Sequence, residues 1–416
     1  MQILFVTPAF PPFHGGGERY ARSLALALAG RNHTLTILTS QAKQEQDFWQ
    51  GAMATTETTH DGSLTVIRCP IRPFPAGRPG LLAWRKLMVM VSLLPGDQSG
   101  LLQRMAAWIP PIVGLEQALL ALPGRYDVVH GFNISWEHGL LAGLKFANQR
   151  AIPFVATPFA HLGEGKNSRV ALNSMMDHQR DLLRRSGRVL VLTAVEKEGL
   201  AARGIRPEQI AVVGGGLDPL PAVIDPAAVL AEHHLSRSFA IFIGRLSHDK
   251  GALQAAQAIL RLGQLPLVLV GRMTPEFERF YGRLNQQERE LIGPVGSLTD
   301  SQKHALLSQA AMLLLPSRSE SFGIVLLEAW AHGVPVIAAR TGGVRGVVDE
   351  GQNGLLVSFG DVPALTNAIS QLGQNEVLRQ QLGQCGRQKV SQRYHWEQVV
   401  EKTLINYELE MANREL

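Results

Sequence analysis

Short runs of aliphatic and β-branched residues alternate with longer segments of helical periodicity along the chain, and this alternation constrains the fold most strongly. Such a pattern is typical of parallel sheets covered by helices. The first half contains seven such runs, from QILFVT at 2–7 to IAVVGG at 210–215. The second half begins again with five, from FAIFIGR at 239–245 to GLLVSF at 354–359. The pattern predicts an α/β protein with two tandem, Rossmann-like domains that face each other across a cleft.

The length of 416 residues also favours two domains, because a single hydrophobic core stops growing at roughly 250 to 300 residues. A segment rich in Gly and Pro at 214–228 interrupts the alternation. We therefore predict a first domain over 1–214, a linker over 215–235 and a second domain over 236–392. A final amphipathic helix over 393–416 packs either on its own domain or back on the first domain.

Composition and charge exclude several classes of protein. Cys69 and Cys385 lie in no CxxC motif, so the sequence predicts neither a disulfide framework nor a zinc site. The net charge of +5 comes from scattered basic residues, and we expect no nucleic-acid partner. The longest apolar stretch, at 87–95, is well below the roughly 20 residues that a membrane-spanning helix needs. The N-terminal residues are typical of a strand and not of a signal peptide. These features predict a cytoplasmic location.

A glycine loop, PPFHGGGE at 11–18, follows the first predicted strand and precedes a helix. Gly16 and Gly17 allow close approach of the backbone to an anion at the start of that helix. The alternative is a turn that needs glycine for its geometry alone. A nicotinamide site is disfavoured, because Tyr20 replaces the third glycine and Thr39–Ser40 closes the second strand without an acidic residue.

Paired cations and paired carboxylates mark the second half. Arg245 and Lys250 follow a strand and are suited to a pyrophosphate, although surface ion pairing is the alternative. Glu320 lies in a loop before a helix predicted from Gly323 to His332, and Glu328 lies on that helix, on the order of 8 to 10 Å further along. Capping by Glu320 and simple exposure of Glu328 are the alternatives. The helix would present the backbone N–H groups of Phe322, Gly323 and Ile324 to a ligand.

The order GGGERY, TPFAH, GRLSHDKG, PSRSESFGIVLLEAWAHGVPVIA, TGG and NGLLV resembles glycosyltransferase family 4, whose members are retaining enzymes of the GT-B fold. The resemblance implies that Glu320 contacts the hydroxyls of the transferring sugar and Glu328 the ribose. It also implies that Arg245 and Lys250 hold the pyrophosphate and that His161 lies near the sugar. The implied donor-binding set is Gly16, Gly17, Arg245, Lys250, Glu320, Phe322, Gly323, Ile324 and Glu328, and the implied catalytic set is Glu320, His161, Arg245 and Lys250.

The predicted function is transfer of a sugar from a nucleotide-diphosphate sugar to a glycan or lipid-linked acceptor, with retention of configuration. No DxD motif occurs, so we expect no metal, and we expect no cofactor beyond the donor substrate. A nucleotide-sugar epimerase or a sugar phosphorylase on the same plan is the enzymatic alternative. An inactive sugar-nucleotide-binding subunit is the non-enzymatic one.

Residues 78–122 are unusually apolar, with Trp, Arg and Lys interspersed. One interpretation is a peripheral contact with an anionic membrane or a lipid acceptor. The other is a set of helices packed on the sheet of the first domain.

Overall fold

The computed structural model describes residues 1–163, 169–222, 224–235 and 238–415. Four parts of the predicted segments lie outside the described residues: positions 164–168 of the first domain, position 223 of the linker, positions 236 and 237 at the start of the second domain, and position 416 of the last helix. The chain divides into two compact units. Unit 1 comprises Met1–Gly216 with Trp396–Leu416, and unit 2 comprises Leu217–His395.

Fourteen strands form two sheets in the described part of the chain. They are β1 Gln2–Val6, β2 Thr34–Ser40, β3 Glu57–Asp61, β4 Leu64–Cys69, β5 Val128–Phe132, β6 Phe154–Thr157, β7 Arg188–Val191, β8 Ile210–Val212, β9 Ala240–Ile243, β10 Leu267–Val270, β11 Ile292–Gly296, β12 Met312–Leu315, β13 Val336–Ala339 and β14 Gly354–Val357. Unit 1 has the order β3-β4-β2-β1-β5-β6-β7-β8, and unit 2 has the order β11-β10-β9-β12-β13-β14. All pairings are parallel except that of β3 with β4.

Helices connect these strands. They are α1 Gly16–Ala29, α2 Asp47–Gln50, α3 Gly77–Ser92, α4 Ser99–Ala106, α5 Leu115–Leu120, α6 Glu137–Gln149, α7 Arg169–Ser174, α8 Asp177–Arg185, α9 Ala194–Ala201, α10 Pro226–Glu232, α11 Ala252–Leu262, α12 Pro275–Gly282, α13 Gln286–Leu291, α14 Asp300–Leu307, α15 Ile324–Ala331, α16 Val344–Val347, α17 Val362–Gln374, α18 Glu376–Arg393 and α19 Trp396–Glu415, with one 3₁₀ turn at Pro207–Gln209. The expectation of two doubly wound α/β sheets is confirmed.

The strand order of unit 2 determines where its loops meet. The order reverses between β9 and β12, and ligands of open parallel sheets bind beyond the carboxyl ends of the strands at such a reversal. The loops after β9, β12 and β13, which are neighbours in the sheet, therefore lie side by side at one edge.

Two strands were absent from the sequence prediction. The edge strand β3 has the sequence ETTHD and is mostly exposed, so it shows no apolar run. The edge strand β11, IGPVG, contains two glycines and a proline, residues that ordinarily indicate a turn. Both strands are defined by pairing with a neighbour rather than by their own hydrophobic pattern.

The last helix belongs to unit 1. The helix predicted over 393–416 is observed as the single helix α19, which begins at Trp396, three residues later than predicted, because α18 ends at Arg393. Tyr407 of α19 is fully buried, and its hydroxyl lies 2.6 Å from Nδ1 of His130 on β5. Nε2 of His130 lies 2.8 Å from Oγ1 of Thr157 on β6. This buried chain of polar groups joins α19 to the middle of the first sheet.

Replacement of His130 by Gln is expected to reduce the loss of stability on acidification. Burial lowers the pKa of His130 from 6.5 to about 3, so protonation favours the unfolded chain. The stabilisation is complete above the unfolded pKa and is lost as the pH falls toward 3, by about 2 kcal/mol between pH 7 and pH 5. Thermal unfolding of both proteins across that range is the measurement. The Tm difference between wild type and His130→Gln should narrow at low pH, and parallel curves would contradict this account.

The segment 78–122 forms α3, α4 and α5 in unit 1. Helices α3 and α4 bury apolar side chains, including Leu81 and Met88 of α3, in a cluster that also contains Phe74 and Met176. Helix α5 instead buries Leu115 and Leu119 in the core of unit 1. Arg85 anchors α3 through an ion pair with Glu137, which is fully buried, and through a 2.9 Å hydrogen bond to the carbonyl of Ser135. Several other apolar side chains are exposed, namely Leu82, Leu87, Met90, Leu93, Leu94, Leu101 and Trp108. No helix in the described ranges is long and apolar enough to cross a membrane.

Candidate functional site

Lys250 and Glu320 form an ion pair in unit 2. Nζ of Lys250 donates to Oε1 of Glu320 at 2.7 Å. The side chain of Lys250 is 32% exposed, and that of Glu320 is 14% exposed. Lys250 lies two residues before α11, after β9, and Glu320 lies in the loop between β12 and α15. The sequence proposed separate roles for these two residues, and the structure brings their side chains into contact.

Hydrogen bonds to backbone carbonyl groups hold three loops together around this ion pair. Oγ of Ser317 donates to the carbonyl of Lys250 at 3.1 Å, and Oγ1 of Thr341 donates to the carbonyl of Ser317 at 2.9 Å. The amide of Gly343 donates to the carbonyl of Glu320 at 2.8 Å. Gly342 has φ +49°, and a Cβ there would overlap the carbonyl oxygen of Glu320. Glycine at this turn therefore permits the close approach that fixes the position of Glu320.

The helix α15 begins directly after this loop. Gly323 is its N-cap, with φ +84°. Phe322 is buried, and its ring lies 5.7 Å from that of Tyr394. The predicted helix from Gly323 to His332 differs from Ile324–Ala331 by one residue at each end. Arg245 is exposed in the loop that also carries Lys250.

Glu328 is buried, whereas one interpretation of the sequence was that it is an exposed helix residue. Its side chain is 3% exposed, and Oε1 accepts a hydrogen bond from Nζ of Lys303 at 2.8 Å. Nε2 of His304 lies 3.8 Å from the same oxygen. The two carboxylates are thus each bound by a different lysine: Glu320 by Lys250 after β9, and Glu328 by Lys303 on α14.

In unit 1 the glycine loop lies against the segment that carries His161. A Cβ at Gly17 would come within 3.1 Å of the ring of Phe159, so glycine permits close packing here, whereas Gly16 has open space. His161 is half-buried, four residues after β6. The preceding amide, that of Ala160, donates to Oε1 of Glu196 at 2.8 Å.

Two buried carboxyl groups support these segments. Glu18, at the start of α1, and Glu196, on α9, both have the pKa raised to about 7, chiefly by burial. Glu196 accepts the amides of Ala160 and Leu192, at 2.8 and 3.0 Å. It therefore holds the backbone that precedes His161, a role that the sequence analysis missed.

Lys303 was also missed. It lies at the fourth position of α14, directly after the capping residues Thr299 and Gln302, where a lysine reads as a solvated helix residue. Nothing in the local pattern distinguishes it, because its partner Glu328 lies 25 residues away along the chain. No group of three or more His, Cys, Asp or Glu side chains suited to a metal ion lies in the part of the chain that the structure describes.

Comparison with known proteins places these units among enzymes that transfer sugars. Residues 232–389 match the family model described as glycosyl transferases group 1, and residues 15–216 match that of the glycosyl transferase 4-like domain. The chain is similar to D-inositol 3-phosphate glycosyltransferase of Acidothermus cellulolyticus, with 30% identity over 320 residues that cover 70% of this chain and 69% of that protein.

Solved structures share the fold. Sucrose-phosphate synthase from Thermosynechococcus elongatus has a TM-score of 0.75 at 22% identity, over 99% of this chain and 100% of that one. The Anabaena protein HepE, solved in complex with UDP-glucose, has a TM-score of 0.66 at 18% identity, over 98% of this chain and 100% of that one.

Proposed function

The chain belongs to glycosyltransferase family 4, and we propose that it transfers a sugar from a nucleotide-diphosphate donor to a glycan or lipid-linked acceptor without a metal ion. The ion pair between Lys250 and Glu320 is the observation that carries the proposal. It joins a cation suited to the diphosphate to a carboxylate suited to sugar hydroxyls, at the reversal of strand order where ligands of such sheets bind.

The proposed roles follow from the chemistry of each group. Arg245 and Lys250 bind the diphosphate, which gains negative charge as its bond to the sugar breaks. The amides at the start of α15 face the same charge, since the N-terminus of a helix favours anions. Glu320 accepts hydrogen bonds from sugar hydroxyls, and Glu328 from the ribose. In unit 1 the proposed donor-binding residues are Gly16 and Gly17, and His161 is the proposed catalytic histidine.

Retention without a protein nucleophile requires that the acceptor attack from the face that the diphosphate leaves. The bond between the anomeric carbon and the diphosphate oxygen breaks, the bond to the acceptor oxygen forms, and a diphosphate oxygen takes the acceptor proton. The cations and helix amides stabilise the departing charge throughout, which is where electrostatic catalysis has its largest effect.

A panel of nucleotide sugars tests this proposal. HepE was solved with UDP-glucose, so UDP-sugars are the first donors to examine. A bound donor should raise the Tm of the purified protein, by an amount that grows with its concentration relative to Kd. Incubation with the same donor and a set of sugar acceptors should release nucleoside diphosphate. Donor binding without any turnover would favour an inactive binding subunit, and epimerised donor without transfer would favour an epimerase.

We also propose that α3 and α4 attach the enzyme weakly to anionic membranes. The exposed apolar side chains of this surface include Leu82 at 52% and Met90 at 65% exposure. Lys86 and Arg104 are exposed on the same two helices. Apolar side chains with interspersed cations are typical of helices that lie in a membrane interface.

Flotation with liposomes tests this attachment. The protein should float with vesicles that contain phosphatidylserine at low salt and less so at high salt, because each basic residue near an anionic surface contributes about 1 kcal/mol. The double variant Leu82→Asp, Met90→Asp should stay in the dense fraction. Val377→Asp is the matched control, since Val377 is an apolar side chain 75% exposed in unit 2. If the wild type does not float at low or at high salt, packing within unit 1 is the remaining role of these helices.

A further inference from the structure

A buried lysine and a buried carboxylate meet between α14 and α15. Nζ of Lys303 lies 2.8 Å from Oε1 of Glu328, with 11% of the lysine side chain and 3% of the glutamate side chain exposed. The same ammonium donates to Oδ1 of Asp300 at 2.7 Å, on the exposed side. Lys303 therefore spans from the surface of α14 to the inner carboxylate of α15.

Such a pair is not explained by stability. The next residues of α14, Ala305, Leu306 and Leu307, are buried and apolar, as a packed helix requires. Withdrawal of two charges from water is costly, and well-packed apolar residues at such positions are often equally stabilising or better. The presence of Lys303 is better explained by its effect on the orientation and charge of the carboxylate of Glu328.

The neighbouring imidazoles do not supply this charge. Nδ1 of His304 lies 2.9 Å from Nε2 of His332, which fixes both rings. Burial lowers the pKa of His304 to about 4 and also lowers that of His332, so both rings are neutral near pH 7. At neutral pH the ammonium of Lys303 is therefore a positive charge in contact with Glu328, and the two imidazoles add none.

We propose that Lys303 is a positioning residue for the nucleotide: it holds the carboxylate of Glu328 in the orientation in which it accepts hydrogen bonds from the ribose hydroxyls. This inference rests on the proposed function, in which Glu328 binds the ribose. A carboxylate has about four acceptor sites, so the bond to Lys303 leaves capacity for a ligand. Lys303 would then set how strictly the enzyme requires a ribonucleotide.

Discrimination between ribose and deoxyribose measures this role directly. Calorimetric affinities of the full chain for UDP, ADP and GDP are compared with those for their 2′-deoxy counterparts. The wild type should prefer the ribonucleotide by on the order of tenfold or more, because the 2′-deoxy analogue lacks a hydroxyl that would donate to the buried carboxylate of Glu328. Lys303→Met should reduce that preference to within about twofold. If Lys303→Met does not fold, Lys303→Gln gives the same comparison.

A second buried lysine provides the matched control. Lys389 of α18 donates to the carbonyl of Val347 at 2.6 Å and to Asp349 at 2.7 Å, outside the proposed nucleotide site. Lys389→Met removes an equally buried lysine, although its partner Asp349 is 49% exposed, and should lower the Tm while the ribose preference stays that of the wild type.

The variant Glu328→Gln distinguishes a failure of this inference from a failure of the proposed function. Glu328→Gln should lose the ribose preference whether or not Lys303 has a positioning role. An unchanged preference in Glu328→Gln would overturn the ribose role of Glu328 on which this inference rests. No binding of any of the three nucleotides to the wild type would count against the proposed function itself. Loss of preference in Glu328→Gln with full preference in Lys303→Met would overturn only the role of Lys303.

Discussion

Replacement of Lys250 by Ala is expected to lower kcat by ~100-fold or more, with a much smaller change in donor affinity. In the proposed function the ammonium of Lys250 faces the charge that develops on the diphosphate, so its removal should affect the transition state more than the bound donor. The variant also leaves Glu320 without the 2.7 Å hydrogen bond that orients it. Steady-state kinetics with the donor identified by the panel give kcat and KM separately.

Arg318→Ala is the matched control for this measurement. Arg318 is a cation of the same loop region and pairs with Asp249 at 3.4 Å, but both side chains are largely exposed. Surface ion pairs contribute little, so this variant should retain activity to within about twofold. Equal losses in the two variants would mean that the general positive charge of the region, and not Lys250, sustains catalysis.

The same assay in EDTA tests the assignment of diphosphate binding to protein cations. Activity should survive the chelator, because we propose that Arg245 and Lys250 take the place of a divalent metal in neutralising the leaving group. Complete loss of activity that Mg²⁺ restores would contradict this assignment.

Features with a local cause were predictable from the sequence. The helix that carries Glu328 was predicted to within one residue at each end, because glycines flank its apolar run at 323 and 333. The core strands were predicted because strands buried on both faces of a parallel sheet read as continuous aliphatic runs. The resemblance to glycosyltransferase family 4 rests on segments of this kind, and it is confirmed.

Features that depend on residues distant in sequence were not predictable. Lys303 and Glu328 are 25 positions apart, and His130 and Tyr407 are 277 apart, so no local pattern signals either contact. The edge strand β3 is held by its antiparallel pairing with β4 and has no apolar run of its own. In each case the partner that gives the residue its role is supplied by the fold.

Glu320→Gln should lower kcat substantially, on the order of 100-fold, and azide should not restore turnover. The neutral amide keeps the shape of the side chain but weakens its charge-assisted hydrogen bonds to sugar hydroxyls and to Lys250. Azide rescues an enzyme by taking the place of a missing carboxylate nucleophile, and Glu320 is not proposed to be one. The product, followed by NMR as it first forms, should keep the anomeric configuration of the donor.

The arrangement of the two carboxylates is the reason to expect this outcome. Retaining glycosidases need two carboxyl groups on either side of one bond, ~5 Å apart, with one free to attack the anomeric carbon. Here Glu320 is bound to Lys250, whereas Glu328 lies on α15, eight residues further along, bound to Lys303. In the proposed function each carboxylate contacts a different part of the donor, Glu320 the sugar and Glu328 the ribose, so the two are not expected to flank one bond. An inverted product, or a glycosyl ester trapped on Glu320 by a slow substrate, would contradict attack from the diphosphate face.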